Sequence, residues 1–379
     1  MDYIFRNKDI IFGDNDLEHL YTFKDFPVFM GCTDTNKSED VLAEMSWKIS
    51  KKSGIIQLNP LLPLEVVYSE EHGSGTIGKI WNEHHQAFAE FVARYEPREV
   101  LEIGGLHGVL AKKYLEIDSQ VGWTMIDPNP IVDDSIPIRV IKGFFDDTFK
   151  PDKNFDTIIH SHVLEHVYQP EEFIKQKSRI MKEGDRLIFS VPNMKVMLEN
   201  KYNNCINFEH TVYLRSLYIE YLLSRYGFEI DTKENFKKDH SIFYSATKNN
   251  TPNEMSLDFE KMYEENKKTF SEYISSHLEE VSKINKIIND TSKPVYLFGA
   301  HIFSQYLIAF GLNSDKIVKV LDNDAQKHNK RLYGTSLKVS SPKVLKGKKN
   351  AIVILRAGVY NEEIKKDIHE NINPNIEFI

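Results

Sequence analysis

The most chemically suggestive run in the chain is Glu102-Ile103-Gly104-Gly105-Leu106-His107-Gly108, which follows an apolar strand and precedes a helix. Glycines at such a turn let the backbone approach a ligand closely. By itself the pattern is shared with dinucleotide enzymes. Two carboxylates sharpen it. Glu102 lies two residues before the first glycine, where a carboxylate can accept hydrogen bonds from an ammonium group. Asp127 ends the next strand, where a carboxylate can hold ribose hydroxyls. An adenosyl ligand with an amino-acid tail satisfies both, whereas a pyrophosphate would be repelled by Glu102. S-adenosylmethionine therefore fits better than NAD. His160, His162 and His166 are a second group with chemical capacity. Positions 160 and 162 share a strand face, but 166 falls after the turn, and no acidic or cysteine ligand stands at a matching spacing. No metal is expected there, nor at His84 and His85, which are adjacent on a helix and face different ways.

These residues need a frame. Apolar residues at helical spacing from Trp81 to Tyr95 predict a helix, broken at Pro97. Strands are predicted at Val100–Ile103, Trp123–Ile126, Ile138–Ile141, Phe155–Ile159 and Arg186–Val191, with a helix from Pro170 to Met181. This alternation implies an α/β domain with a mainly parallel sheet. After a polar stretch at Lys248–Asn253, apolar residues from Phe259 to Ile288 follow steps of three, four and seven. Asn266 and His277 interrupt a sustained heptad seam, which favours a helix packed on its own domain over a dimer seam. Beyond Pro294, strands at Val295–Phe298, Ile317–Leu321 and Ala351–Leu355 predict a second α/β unit. The first 60 to 75 residues read as irregular, short apolar pieces between polar turns.

The chain has 379 residues, more than one ordinary domain needs. Hydrophobic residues at 41% and charged residues at 27% suit a folded protein. A net charge of −8 gives no support to a broad nucleic-acid surface. No apolar run reaches the length of a membrane helix, and the first residues lack a signal-peptide core. Only Cys32 and Cys205 are present, which excludes a disulfide scaffold and a four-cysteine zinc site. A cytoplasmic enzyme or binding protein is expected.

Several landmarks together resemble the seven-stranded S-adenosylmethionine-dependent methyltransferases. They are Glu102-x-Gly104-Gly105-x-x-Gly108, Met125-Ile126-Asp127-Pro128, Gly143-Phe144-Phe145-Asp146 and Phe155-Asp156-x-Ile158-Ile159, then Ser161-His162-Val163-Leu164-Glu165-His166 and Lys182-Glu183-Gly184. The resemblance implies a class I, Rossmann-like fold. It implies that Glu102, Gly104, Gly105, Gly108, Asp127 and Pro128 hold the cofactor. Phe144 and Phe145 would lie beside the adenine, with ordinary core packing as the alternative. Ser161 and His162 would lie beside the methionine end.

The whole chain resembles the three-part sugar C-methyltransferases, in which a small zinc-binding unit precedes the cofactor domain and a second Rossmann-like unit follows. The expected parts are residues 1–75, 76–250 and 251–379. Ser50-Lys51-Lys52-Ser53-Gly54-Ile55-Ile56-Gln57-Leu58 follows the family's Cys-x-x-Cys-Gly pattern with both cysteines replaced by serine, a poor zinc ligand. Tyr68 opens a loop, continuing to Thr76, that resembles one over the active site. The C-terminal unit matches at Val295–Ala300, Val320–Asp324, Tyr333–Thr335 and Ser340–Pro342, but the glycine pattern after Gly299 is incomplete, so no dinucleotide site is expected.

In this family a Tyr-His-Glu-His motif ends in the catalytic base. Here the stretch reads Asn207-Phe208-Glu209-His210. The resemblance thus assigns His210 and Glu209 to catalysis, and Tyr68, Asn193 and Asn207 to the substrate. An imidazole with a pKa of about 6.5 can accept a proton at neutral pH. The implied function is methyl transfer to a nucleotide-activated sugar for a surface polysaccharide or glycosylated product. An O- or N-methyltransferase, and a non-catalytic binding protein on the same fold, are the alternatives.

Overall fold

The computed structural model describes residues 2–68, 78–253 and 255–379. The stretch Ser69–Thr76 of the expected active-site loop lies outside them. Three antiparallel strands open the chain: β1 (Leu17–Pro27), β2 (Leu42–Ser50) and β3 (Ile56–Leu58), in the order β1-β2-β3. This corrects the expectation of an irregular amino-terminal segment. In β1, shifts of register between His19 and Tyr21 and between Phe23 and Phe26 break the two-residue alternation that marks a strand. In β2, Ala43, Met45, Trp47 and Ile49 are all buried, an alternation legible once the strand is known.

The cofactor domain begins with helix α1 (Lys79–Ala93), which buries His84, Phe88, Ala89, Phe91 and Val92. Next come β4 (Glu99–Ile103), α2 (Val109–Leu115), β5 (Gly122–Asp127), β6 (Arg139–Lys142), β7 (Thr157–Ser161), α3 (Pro170–Ile180), β8 (Arg186–Pro192), α4 (Met194–Glu199), α5 (Ser216–Arg225), β9 (Phe228–Phe236) and β10 (Ser241–Lys248). The sheet order is β9-β10-β8-β7-β4-β5-β6, with β10 antiparallel to its neighbours. Strand order reverses between β4 and β7, which places a crevice beyond their carboxyl ends. The expected class I Rossmann-like fold is what forms.

Helix α6 (Phe259–Asn289) is continuous over 31 residues. Its apolar stripe is covered by the chain itself. Gly54 sits so close that a Cβ there would meet Tyr263 N at 2.5 Å, and His277 stacks on Phe310 at 4.9 Å. Asn266, expected to spoil a dimer seam, donates to Gly54 O and Tyr218 Oη and accepts from Arg215. The second α/β unit comprises β11 (Val295–Phe298), α7 (Ile302–Ala309), β12 (Ile317–Leu321), β13 (Val339–Ser340), β14 (Ala351–Leu355), α8 (Asn361–Asp367) and β15 (Ile376–Phe378). Its order is β13-β12-β11-β14-β15, all parallel.

The amino-terminal module is bonded to the last unit. Arg331 makes a two-pronged ion pair with Asp40, both contacts at 2.6 Å and both side chains buried. The bulk of the apolar core runs through all three parts without interruption.

Candidate active site

The turn after β4 has little room for side chains. Gly104 is left-handed at φ +73° with its Cα against Val163, and a Cβ on Gly105 would overlap Met125 Sδ and crowd the Glu102 carboxylate at 2.9 Å. Below the turn, buried Glu102 accepts the Trp123 indole N–H at 2.8 Å. Burial raises its pKa to about 7. Asp127 at the end of β5 accepts from Leu106 N at 3.0 Å and Asn129 N at 2.8 Å, so it stands across the glycine turn. Phe144 is 62% exposed beyond β6, a large uncovered ring, whereas Phe145 packs on Phe149 and Phe173. Ser161 Oγ bonds Ser190 Oγ at 2.9 Å. A turn whose first two residues are glycines with no room for a Cβ, two carboxylates at strand ends and an uncovered aromatic ring fit an adenosyl ligand with an amino-acid tail.

From Ser161 the chain turns through His162, in the left-handed region at φ +52°, into the short turn Leu164–His166. That turn meets the loop from Cys205 to His210. Glu165, His166 and His210 bring one ligand atom each within 4.8 Å of one another. The rings of His166 and His210 lie edge to face at 4.7 Å. Tyr68 Oη is 3.3 Å from His166 Nδ1, and Glu209 Oε2 is 3.7 Å from the same atom. Burial and the neighbouring His210 push His166 down to about 3, so its imidazole is neutral. His210 Nδ1 lies 3.2 Å from Cys205 O. A carbonyl can only accept, so Nδ1 carries the proton and Nε2 keeps a free lone pair. This is the form a base requires.

The structure thus brings Tyr68, Glu209 and His210 together, at the far end of the turn that begins beside the glycine loop. Asn207 is in the same loop, but its Oδ1 accepts from the backbone N–H groups of Glu209 at 2.7 Å and His210 at 2.9 Å, which fixes the loop carrying the imidazole. Asn193 caps α4 through Val196 N at 3.5 Å. Phe26, Pro27, Val28 and Met30 line a small cavity with Asn207, Phe208 and Glu209, so the amino-terminal module walls one side. Ser50 and Ser53 lie in a closed turn: Ser50 Oγ donates to Asp9 and Asp16, and Ser53 Oγ accepts from Ile55 N. Trp81 and His240, not singled out by spacing, join His84 and His162 beside the site. They are contributed by separate elements, which no local motif reveals.

Residues 80–233 match a family model described as a methyltransferase domain, and residues 246–379 match one described as a C-methyltransferase C-terminal domain. Similar solved structures include an O-methyltransferase family protein from Burkholderia thailandensis, at 12% identity over 45% of this chain and 57% of that one, with a TM-score of 0.36. The N-methyltransferase NodS from Bradyrhizobium japonicum WM9, in complex with S-adenosyl-L-homocysteine, is 14% identical over 48% of this chain and 93% of that one, with a TM-score of 0.37. The chain spans a little over half the length of the first structures it matches, 57% in the Burkholderia case. No curated protein sequence matches it. Among the described residues no helix is long and apolar enough to cross a membrane. The middle of the chain is thus similar to a methyltransferase domain, and the stretch that follows it to a C-methyltransferase C-terminal domain.

Proposed function

We propose that the protein transfers the methyl group of S-adenosylmethionine to a carbon of a nucleotide-linked sugar, with His210 as the general base. The observation that carries this reading is the His210 tautomer: Nδ1–H is held by Cys205 O, leaving Nε2 to take a proton. The cofactor supplies an electrophilic methyl group. Methylation at carbon also requires a proton to leave a position beside a carbonyl, and donors aimed at the resulting enolate oxygen stabilise it. His210 Nε2 takes that proton. The Tyr68 hydroxyl and the Asn207 amide are the donors available nearby, and Glu209 steadies the positive charge that His210 gains. Holding the carbon in line with the methyl group accounts for much of the remaining rate.

On this reading Glu102, Asp127, Pro128, Phe144, Ser161 and the glycine turn hold the cofactor, and the last unit encloses the nucleotide. Residues 1–75, 76–250 and 251–379 act as three parts of one cytoplasmic enzyme making a surface polysaccharide or glycosylated product.

One observation favours a second reading. Asn207 occupies the family's tyrosine position, and its oxygen is consumed by its own loop. Methylation of oxygen or nitrogen on a similar sugar needs no enolate donor. Proton exchange at the substrate carbon, followed by NMR in deuterated water, separates the two. Exchange that requires His210 supports carbon methylation; methyl transfer without exchange supports the second reading and overturns the first.

A further inference from the structure

We propose that His84, His162 and His240 form a binding site for one divalent cation of the zinc class. The three residues come from α1, the end of β7 and the hairpin before β10. One ring nitrogen of each lies within 4.8 Å of the others, and ring centroids are separated by 5.1, 5.5 and 6.1 Å. Local spacing predicts no metal at His84 or His162, and the third residue of the group, His240, is remote from both in the chain.

Three further features point to a ligand. His84 is 0% exposed, yet both its ring nitrogens lack a hydrogen-bond partner among the described residues. Leaving such atoms unsatisfied in a buried place is unfavourable, and an apolar residue of similar size would avoid it. His162 adopts φ +52°, a conformation costly to a side chain with a Cβ and typical of ligand sites. Lastly, Glu165 Oε1 stands 2.8 Å from His162 Nδ1, yet neither oxygen of this buried carboxylate makes a hydrogen bond among the described residues. An unsatisfied carboxylate at that distance is a ready partner for Nδ1–H once the other ring nitrogen takes a metal. That other atom, His162 Nε2, lies 2.8 Å from Ser241 Oγ, which also lies 2.6 Å from His240 Nδ1.

Three neutral imidazoles suit zinc and its neighbours, whereas magnesium and calcium prefer oxygen. With metal–nitrogen distances of about 2.1 Å, tetrahedral ligands lie about 3.4 Å apart. Binding brings the three nitrogens to this spacing, and half-buried His240 joins them from a hairpin. Three protein ligands leave a fourth position for water or the Ser241 hydroxyl. Trp81 lies within 4.8 to 5.3 Å of all three rings and limits access of solvent. The neighbouring group of Glu165, His166 and His210 is the one the proposed function uses, with His210 Nε2 kept for the substrate proton.

The test uses tag-free full-length protein produced with added zinc and then desalted. Elemental analysis is expected to find one zinc per chain, and cobalt substitution to give the visible bands of a four- or five-coordinate nitrogen site. His240→Ala and His84→Ala each weaken zinc binding at least tenfold while far-ultraviolet circular dichroism stays native, and His210→Ala retains the metal. If His84→Ala fails to fold, His240→Ala decides. Wild-type protein without bound metal, zinc retained at full affinity by folded His240→Ala, or zinc lost from His210→Ala but not from His240→Ala would each overturn the proposal. These readouts do not depend on methyl transfer.

Discussion

His210 Nδ1 lies 3.2 Å from the carbonyl oxygen of Cys205, five residues earlier in the same loop. The contact orients the ring and selects the tautomer whose Nε2 can accept a proton. Asn207 closes the loop from within by accepting two backbone N–H groups, so the imidazole is held by its own segment.

Asp127→Ala removes the carboxylate facing the glycine turn. Calorimetry is expected to show S-adenosylmethionine binding to the wild type and at least tenfold weaker binding to the variant, the scale of one lost charge-assisted bond pair. Wild-type binding of NAD with none of the methyl donor would contradict the assignment of this turn.

Glu102 titrates near pH 7 in the fold because burial raises it from 4.5. The folded chain therefore binds more protons than the unfolded chain between these values, and stability falls as pH rises through this window. The expected loss is on the order of 3 kcal/mol between pH 4.5 and 7, levelling off above it. Denaturant unfolding across that range should show the slope in the wild type and a flatter profile in Glu102→Gln. Equal slopes would show that the buried carboxyl is not the titrating group.

The Asp40–Arg331 pair joins the first and last parts of the chain. Asp40→Ala leaves a buried guanidinium without its carboxylate, a loss of about 3–5 kcal/mol. Chemical denaturation should register it, and exchanging both residues for apolar ones should recover much of the loss. A single-variant loss under 1 kcal/mol would mean that solvent reaches the pair.

Sequence made the cofactor domain legible because each strand end carries a local signal. Glu102 lies near the end of β4 just before the glycine turn and Asp127 ends β5, as the alternation of strands predicts. The amino-terminal sheet was illegible because the bulges in β1 interrupt alternation, with Asp25 itself left-handed at φ +50°. The resemblance sets Ser50 and Ser53 at the family's cysteine positions, but it does not reveal that they centre a hydrogen-bonded turn with Asp9 and Asp16. Those carboxylates reach Ser50 from the preceding segment, a tertiary relationship that spacing does not encode. The same is true of His84, His162 and His240.

The most direct test of the central claim is transfer of an isotopically labelled methyl group from S-adenosylmethionine to a panel of nucleotide-linked keto-sugars, read by mass spectrometry and NMR. Wild-type protein should yield a sugar with a new carbon-bound methyl group. His210→Ala should bind the cofactor normally and lose about 10²–10⁴-fold in turnover. Labelling at carbon that survives unchanged in His210→Ala, or no labelled sugar from any member of the panel, would contradict the account.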